Sequence, residues 1–358
     1  MTTVGSRRAV VVGTGLIGGS IGMGLRKAGW FVSAVDTCPG VQQLAVECGA
    51  ADRSGFDDEA DLGVVATPLG QVPGVAQHLL ARLGPNATVT DVAGVKGPVL
   101  EAVTAPNFVG GHPMAGSEQE GLDGADPDMF QGATWVLTPT QVTDPAAFVR
   151  TSEVAASLGA EVVALEPEHH DALVAVVSHV PHLVAATMMS EASQASEQHA
   201  ALLRLAAGGF RDMTRVAAGH PGIWPDICAQ NRSAIVSSLD SLVAALLRVR
   251  HVVDSGRTDQ LEQMLSRARA ARRNLPGQAP PPERLAELRV IVPDRPGVFA
   301  QLTTLAGELG VNLFDMEVAH SAEGPQGVVI LVVSGDQAPV LRQAISGLGM
   351  RRSLRRLG

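Results

Sequence analysis

Acid–base chemistry in this chain has few candidates. The 358 residues include no tyrosine, which excludes the Tyr/Lys dyad of short-chain dehydrogenases and leaves the work to His, Asp, Glu, Lys or Cys. Four segments concentrate such side chains. Asn107–Glu118 (NFVGGHPMAGSE) sets His112 in a glycine-rich loop after an apolar run, where an imidazole can take or give a proton near neutrality. Ser178–His182 (SHVPH) spaces His179 and His182 three residues apart, on one side of a helix if Pro181 is accommodated. Gly208–Arg215 (GGFRDMTR) spaces Asp212 and Arg215 in the same way. A guanidinium there can grip a carboxylate through paired N–H donors. Asp91–Lys96 (DVAGVK) closes another apolar run with a carboxylate and an ammonium. A lone histidine is more often structural than catalytic, and it is the company of the other segments that marks His112. The His179/His182 pair could also ligate a metal, but it lacks an evident third ligand, so no metal is expected.

A second constellation points to a cofactor. In VVVGTGLIGGSIG, Gly13, Gly15 and Gly18 stand in G-x-G-x-x-G register between a predicted strand and a helix predicted over Leu16–Lys27. Gly13 suits the tight turn, Gly15 the approach of a pyrophosphate, and Gly18 close packing of helix on strand. Leu16 and Ile17 open the helix, whose N-terminal N–H groups would face that pyrophosphate. Asp36 falls at the end of the second strand, where a carboxylate accepts from ribose hydroxyls. Thr37-Cys38-Pro39 offers no Arg or Lys for a 2′-phosphate, so NAD is expected rather than NADP. Thr67-Pro68, after the third strand-like run, should pass beside the cofactor. The competing reading is a glycine turn with no nucleotide.

These residues need elements to hold them. Strand patterns at 9–13, 31–36, 62–67, 87–92, 108–111, 134–138 and 161–165 alternate with helical spacing. That is the signature of a buried, mostly parallel sheet, an α/β Rossmann-type doubly wound domain. After Glu166 strand signals cease and long helices follow, over 172–193 and 233–253. The first is apolar around its whole circumference and belongs at an interface between domains or subunits. A basic helix at 266–274 reads as a solvated face, and Pro276–Pro282 (PGQAPPP) as a linker. Then come a strand (288–293), a helix (296–309), two strands (312–319, 327–333) and a helix (337–348), a small α+β module of ferredoxin-like type. Arg351, Arg352, Arg355 and Arg356 form a solvated tail or a last strand. The expected domains are 1–166, 167–275 and 286–358, joined by a linker at 276–285.

Composition narrows the classes. A 46% apolar chain with 18% charged residues buries a core, and a net charge of −9 argues against a nucleic-acid partner. Cys38, Cys48 and Cys228 are odd in number and without a CxxC, which fits a reducing, cytoplasmic setting. Arg7-Arg8 ahead of the uncharged run Ala9–Leu25 superficially resembles an export signal, but that run carries six glycines and is too short to span a bilayer. No membrane association is expected.

Taken together, GxGxxGGS (Gly13–Ser20), DxxxVKG (Asp91–Gly97), GGHPMAGSE (Gly110–Glu118), SHxPH (Ser178–His182), GGFRDMTR and IWPDI (Ile223–Ile227) resemble the prephenate dehydrogenase family over residues 9–275. The resemblance implies NAD-dependent oxidative decarboxylation of prephenate to 4-hydroxyphenylpyruvate and CO2, with arogenate the alternative substrate. It implies that His112, an imidazole near its ordinary pKa, takes the substrate hydroxyl proton and that Arg215 binds the ring carboxylate. His179 and His182 would line the pocket, Glu118 and Asp212 would hold or gate Arg215, and the helical domain would form a homodimer. One position departs from the family: Gly94 stands where a serine is common, which puts the positioning of histidine and substrate in question. Val290–Leu313 resembles an ACT domain, implying an amino-acid effector such as tyrosine at Asp294, Arg295, Pro296, Gly297 and Asn312. There Asp294 would cap the helix and Pro296 sit in its first turn. Two other readings are weaker. A β-hydroxyacid dehydrogenase would place a catalytic lysine in the helical region, whereas Lys27 and Lys96 both precede it. A non-catalytic NAD- or amino-acid-sensing regulator would carry a DNA-reading basic helix, and none is evident beyond 266–274.

Overall fold

Short runs of Val, Ala and Leu with no polar interruption can be buried on both faces, and here they build one sheet. The computed structural model describes residues 7–116, 119, 121–199, 201–273, 284–293, 295–320 and 326–356. The chain divides into two compact units, Met1–Leu246 and Leu247–Gly358.

In the first unit the strands are β1 (Arg8–Val12), β2 (Phe31–Val35), β3 (Arg53–Ser54), β4 (Leu62–Val65), β5 (Thr88–Asp91), β6 (Phe108–Pro113), β7 (Thr134–Thr138) and β8 (Glu161–Ala164). They lie in the order β3-β2-β1-β4-β5-β6-β7-β8. Only β6 and β7 pair antiparallel; the other neighbours are parallel. This is the doubly wound order of nucleotide-binding sheets with two strands added at one edge. The two-residue β3 is polar and exposed, so no apolar pattern announces it. Helices α1 (Leu16–Lys27), α2 (Pro39–Glu47), α3 (Val72–Leu83), α4 (Gly97–Ala102) and α5 (Pro145–Ser157) cover the sheet. One core gathers Ile21, Leu25, Phe130, Trp135 and Leu158; the other gathers Val72, Leu79, Val89, Val99 and Phe108.

The expected loop at His112 is instead strand. β6 continues through Pro113, and His112 pairs with Val136 of β7. The two glycines that suggested a loop permit close approach: a Cβ on Gly110 would lie 2.4 Å from Thr138 Oγ1, and one on Gly111 2.6 Å from Asp91 O.

Beyond β8 the chain is helical: α6 (Pro167–Val174), a π turn (Ala175–His179), α7 (Val180–Gln198), α8 (Gly208–Thr214), α9 (Trp224–Gln230) and α10 (Arg232–Asp254). The first three form one run that begins earlier than the expected Ala172. Pro167 and Pro181 both sit in first turns, where a missing N–H is harmless, and the π turn separates them. Among the described residues this run, Pro167–Glu197, is by length and composition apolar enough to cross a membrane, where no such stretch was expected. It also carries the buried polar side chains His170, Asp171 and His179.

The second unit holds α11 (Thr258–Arg273), β9 (Leu285–Pro293), α12 (Val298–Glu308), β10 (Leu313–His320), β11 (Gln326–Ser334), α13 (Ala338–Gly347) and β12 (Arg351–Arg356). Its antiparallel sheet has the order β10-β11-β9-β12, with Leu288, Val290, Leu302, Leu331 and Leu341 in the core. The arginine-rich end is therefore a strand paired to β9, giving βαββαβ.

Candidate active site

The turn after β1 is built for close approach. Gly13 has φ +90°, and a Cβ on it would lie 2.4 Å from Ala66 O, at the end of β4. A Cβ on Gly18 would lie 1.9 Å from Gly13 O, so α1 rests directly on the turn. A Cβ on Gly15 would meet nothing within 4 Å. That position faces open space at the N-terminus of a 12-residue helix begun by Leu16 and Ile17. Asp36 lies just past β2; its Oδ2 accepts from Thr14 N at 3.0 Å and Thr14 Oγ1 at 3.3 Å, its Oδ1 from Cys38 N at 3.0 Å. These three bonds hold the carboxylate at the mouth of the turn with lone pairs to spare for ribose hydroxyls. Thr67, beside Pro68 after β4, buries a hydroxyl oxygen that has no hydrogen-bond partner. Open space at Gly15, a helix N-terminus, an anchored carboxylate and an orphaned hydroxyl fit a dinucleotide.

His112 emerges from β6 half-buried, with its Nδ1 2.8 Å from His170 Nε2. His170 Nδ1 in turn lies 2.8 Å from Asp171 Oδ1. Asp171 also accepts from Lys96 N and Gly97 N, each at 2.8 Å. His170 is fully buried and Asp171 nearly so. Sequence reasoning missed both; the signal was HHD one turn inside a Pro-initiated helix, following the last strand of the sheet. Burial pushes the His112 imidazole well below its ordinary pKa of 6.5, and His170, Lys96 and His179 add to the depression. This corrects the expectation of a near-normal value. On the other side of the ring, a Cβ on Gly94 would lie 3.6 Å from His112 Nε2, ordinary contact.

Lys96 is fully buried. Its Nζ donates to Asp91 Oδ2 and, at 2.7 Å, to Gly111 O. Asp91 accepts from Ala93 N at 3.0 Å and Gly111 N at 3.1 Å. The pair thus clamps β5 to the segment of β6 that carries His112. Burial lowers the Lys96 pKa, opposed by Asp91.

On the helical side, His179 is buried, its Nδ1 3.2 Å from Asn231 Nδ2, which donates at 2.8 Å to Asp171 O. His182 stacks on Trp224 with ring centroids 3.7 Å apart, and His179 meets the same indole edge-on at 6.2 Å. The two histidines therefore do share a side. Burial lowers the pKa of both. Arg215 opens a 3₁₀ turn (Arg215–Ala218) whose end, Gly219, lies against His182. Arg215 and Asp212 are exposed, and Glu118 lies outside the described residues. Among the described residues no three His, Cys, Asp or Glu side chains are grouped to hold a metal.

In the second unit, Arg295, Pro296, Gly297 and Asn312 are all exposed. Gly297 caps α12 with φ +87°, so Pro296 precedes the helix instead of sitting in its first turn. Asp294, expected as the cap, lies outside the described residues.

Residues 21–164 match the family model of the prephenate dehydrogenase nucleotide-binding domain, 166–267 that of the prephenate dehydrogenase dimerization domain, and 286–348 that of the ACT domain. A prephenate dehydrogenase of Bacillus subtilis is 29% identical, covering 91% of this chain and 92% of its own. A probable prephenate dehydrogenase of Streptomyces niveus is 32% identical, covering 92% and 94%. Among solved structures, Aquifex aeolicus prephenate dehydrogenase in complex with hydroxyphenyl propionate and NAD+ aligns with a TM-score of 0.71 at 28% identity, over 76% of this chain and 99% of that one. Synechocystis arogenate dehydrogenase aligns with a TM-score of 0.64 at 32% identity, over 74% and 98%. The cofactor is NAD. The chain, an NAD-dependent dehydrogenase, belongs to the prephenate dehydrogenase family.

Proposed function

We propose that the chain converts prephenate to 4-hydroxyphenylpyruvate and CO2, and that His112 is the catalytic base. One observation carries this reading: His112 is held through Nδ1 while its Nε2 edge lies beside the small residue Gly94, on a strand that ends at the same carboxyl edge of the sheet as the nucleotide turn. Bound NAD supplies the acceptor for the hydrogen lost from C4 of the ring. His112, neutral because it is desolvated, receives the proton of the C4 hydroxyl. Arg215 grips the ring carboxylate, with Asp212 and Glu118 steering it, and His179 and His182 wall the pocket. Gly13, Gly15, Leu16, Ile17 and Gly18 cradle the pyrophosphate, Asp36 takes the ribose, and Thr67 and Pro68 flank the nicotinamide side.

Arogenate is the second reading, favoured by the Synechocystis similarity and by Gly94, which leaves room at the base that a serine would fill. We assign 1–166 to cofactor binding, 167–275 to substrate and homodimer formation, and 286–358 to an amino-acid effector, tyrosine first, at Arg295, Gly297 and Asn312. The three cysteines are unpaired, which supports a reducing, cytoplasmic location. The test is NADH absorbance with purified protein, NAD, and prephenate or arogenate in parallel. Turnover of prephenate at a kcat/KM at least about tenfold above arogenate is expected. The reverse ratio assigns arogenate, and turnover of neither overturns the reading.

A further inference from the structure

We propose that His112, His170 and Asp171 work as one proton-holding unit, in which Asp171 sets both tautomers and His170 is the fixed hydrogen-bond partner of the cation formed on His112. The proposal rests on the reaction assigned above. Its geometry does not. A carboxylate can only accept, so the 2.8 Å contact to Asp171 Oδ1 requires the proton of His170 on Nδ1. A neutral His170 then has only a lone pair on Nε2, and the 2.8 Å contact to His112 requires that Nδ1 of His112 donate. The lone pair of His112 is thereby assigned to Nε2, the atom facing Gly94. Asp171 is held in place by the backbone N–H groups of Lys96 and Gly97 and, through its own carbonyl, by Asn231. Among the described residues, Lys96 and His179, which also face these side chains, are already engaged, the first with Asp91 and the second with Asn231.

The reaction gives such a unit a task. As C4 is oxidised and NAD reduced, the C4 hydroxyl O–H bond breaks and an N–H bond forms on His112 Nε2. The bond from ring C1 to its carboxylate then breaks, CO2 departs, and the electron pair enters the ring. The oxygen on C4 takes the same proton back and becomes a phenol. No proton is released overall, so the enzyme lends a site to one proton between the two bond cleavages. A desolvated imidazole alone is a poor host for it. With His170 accepting from Nδ1 and Asp171 orienting His170, the cation formed on His112 keeps a fixed hydrogen-bond partner, as in any base oriented by a carboxylate.

Two replacements separate this role from packing. His170→Phe keeps the ring volume and removes the acceptor; His170→Gln keeps an acceptor and loses the ring. Positioning predicts kcat at least about 10²-fold lower for His170→Phe, with KM for substrate and NAD within about threefold, and His170→Gln within about tenfold of the parent. Packing alone predicts the reverse order, and either that order or equal kcat values would overturn the proposal. A second measurement needs no variant. In the NAD complex of the full chain, nitrogen–proton NMR of labelled histidine should show His112 and His170 both protonated on Nδ1; an Nε2-protonated His112 refutes the assignment. If the parent protein turns over neither prephenate nor arogenate, the reaction fails while the tautomer result still stands or falls by itself.

Discussion

At His112, desolvation is the largest effect on the imidazole, and His170, Lys96 and His179 act in the same direction. A base whose pKa lies well below 6.5 is neutral throughout the physiological range. The acid limb of kcat/KM is therefore expected below pH 6.5, with a plateau above it; a limb at or above that value contradicts the assignment. The unfolded chain binds this proton near 6.5 and the folded one only at lower pH, so the stability contributed is present above 6.5 and falls away below it. His112→Asn should lower kcat by about 10²–10⁴-fold with little change in KM. Arg215→Gln should instead raise substrate KM by about tenfold or more, the loss of a charge-assisted hydrogen bond pair. Gly94→Ser is sterically tolerated, since its Cβ would make only ordinary contact with His112. Its melting temperature should match the parent's, while its hydroxyl, one hydrogen bond worth about 1 kcal/mol, should change kcat/KM several-fold.

At the scale of elements, the glycine turn offers two substitutions with opposite readouts. Gly15→Ala places a methyl in open space, so the protein should melt like the parent but bind NAD at least about tenfold more weakly, the methyl standing where the pyrophosphate approaches. Gly18→Ala drives a Cβ to 1.9 Å from Gly13 O, so the fold itself should lose about 1–3 kcal/mol. Calorimetry and NAD titration on the two variants distinguish a cradle from a packing contact. Equal melting temperatures would show that the backbone yields at Gly18. The β5–β6 clamp belongs to the same scale. Lys96 reads from sequence as a candidate for chemistry, yet the sheet spends it on Asp91 and Gly111, holding the strand that carries His112.

For the whole molecule, the helical run from Pro167 leaves Val176 and Val177 58% and 64% exposed. Beside them a groove of about 620 Å³ is lined by Val180, Val184, Ala234 and Leu242. Exposed apolar surface of this kind marks an interaction site, and it falls within the stretch that matches the family's dimerization domain. Sedimentation should find a dimer, and Val177→Asp should shift it toward monomer; a parent monomer at micromolar concentration would count against the dimer. Regulation is tested separately. Tyrosine is expected to alter turnover, and Gly297→Val, forcing a β-branched residue to φ +87°, should abolish the response while leaving basal kcat within about twofold. A full response in that variant would move the effector site elsewhere.

What the chain's order of residues determined is local. Apolar runs of strand length, 3.6-residue spacing, a glycine turn and Asp36 at the next strand end are properties of short segments, and the sheet, α1 and the cofactor cradle follow from them. The motifs around His112, His179 and Arg215 were legible for the same reason. Tertiary structure decided the rest. That His112 lies in a strand depends on β7 arriving alongside, and β7 is 21 or more residues away in the chain. The bonds from His170 to His112 and from Asp171 to Lys96 span 58 and 75 residues, so no local pattern records them. The depressed pKa of His112 likewise comes from burial among groups that only folding brings together, and desolvation has no signature in a sequence.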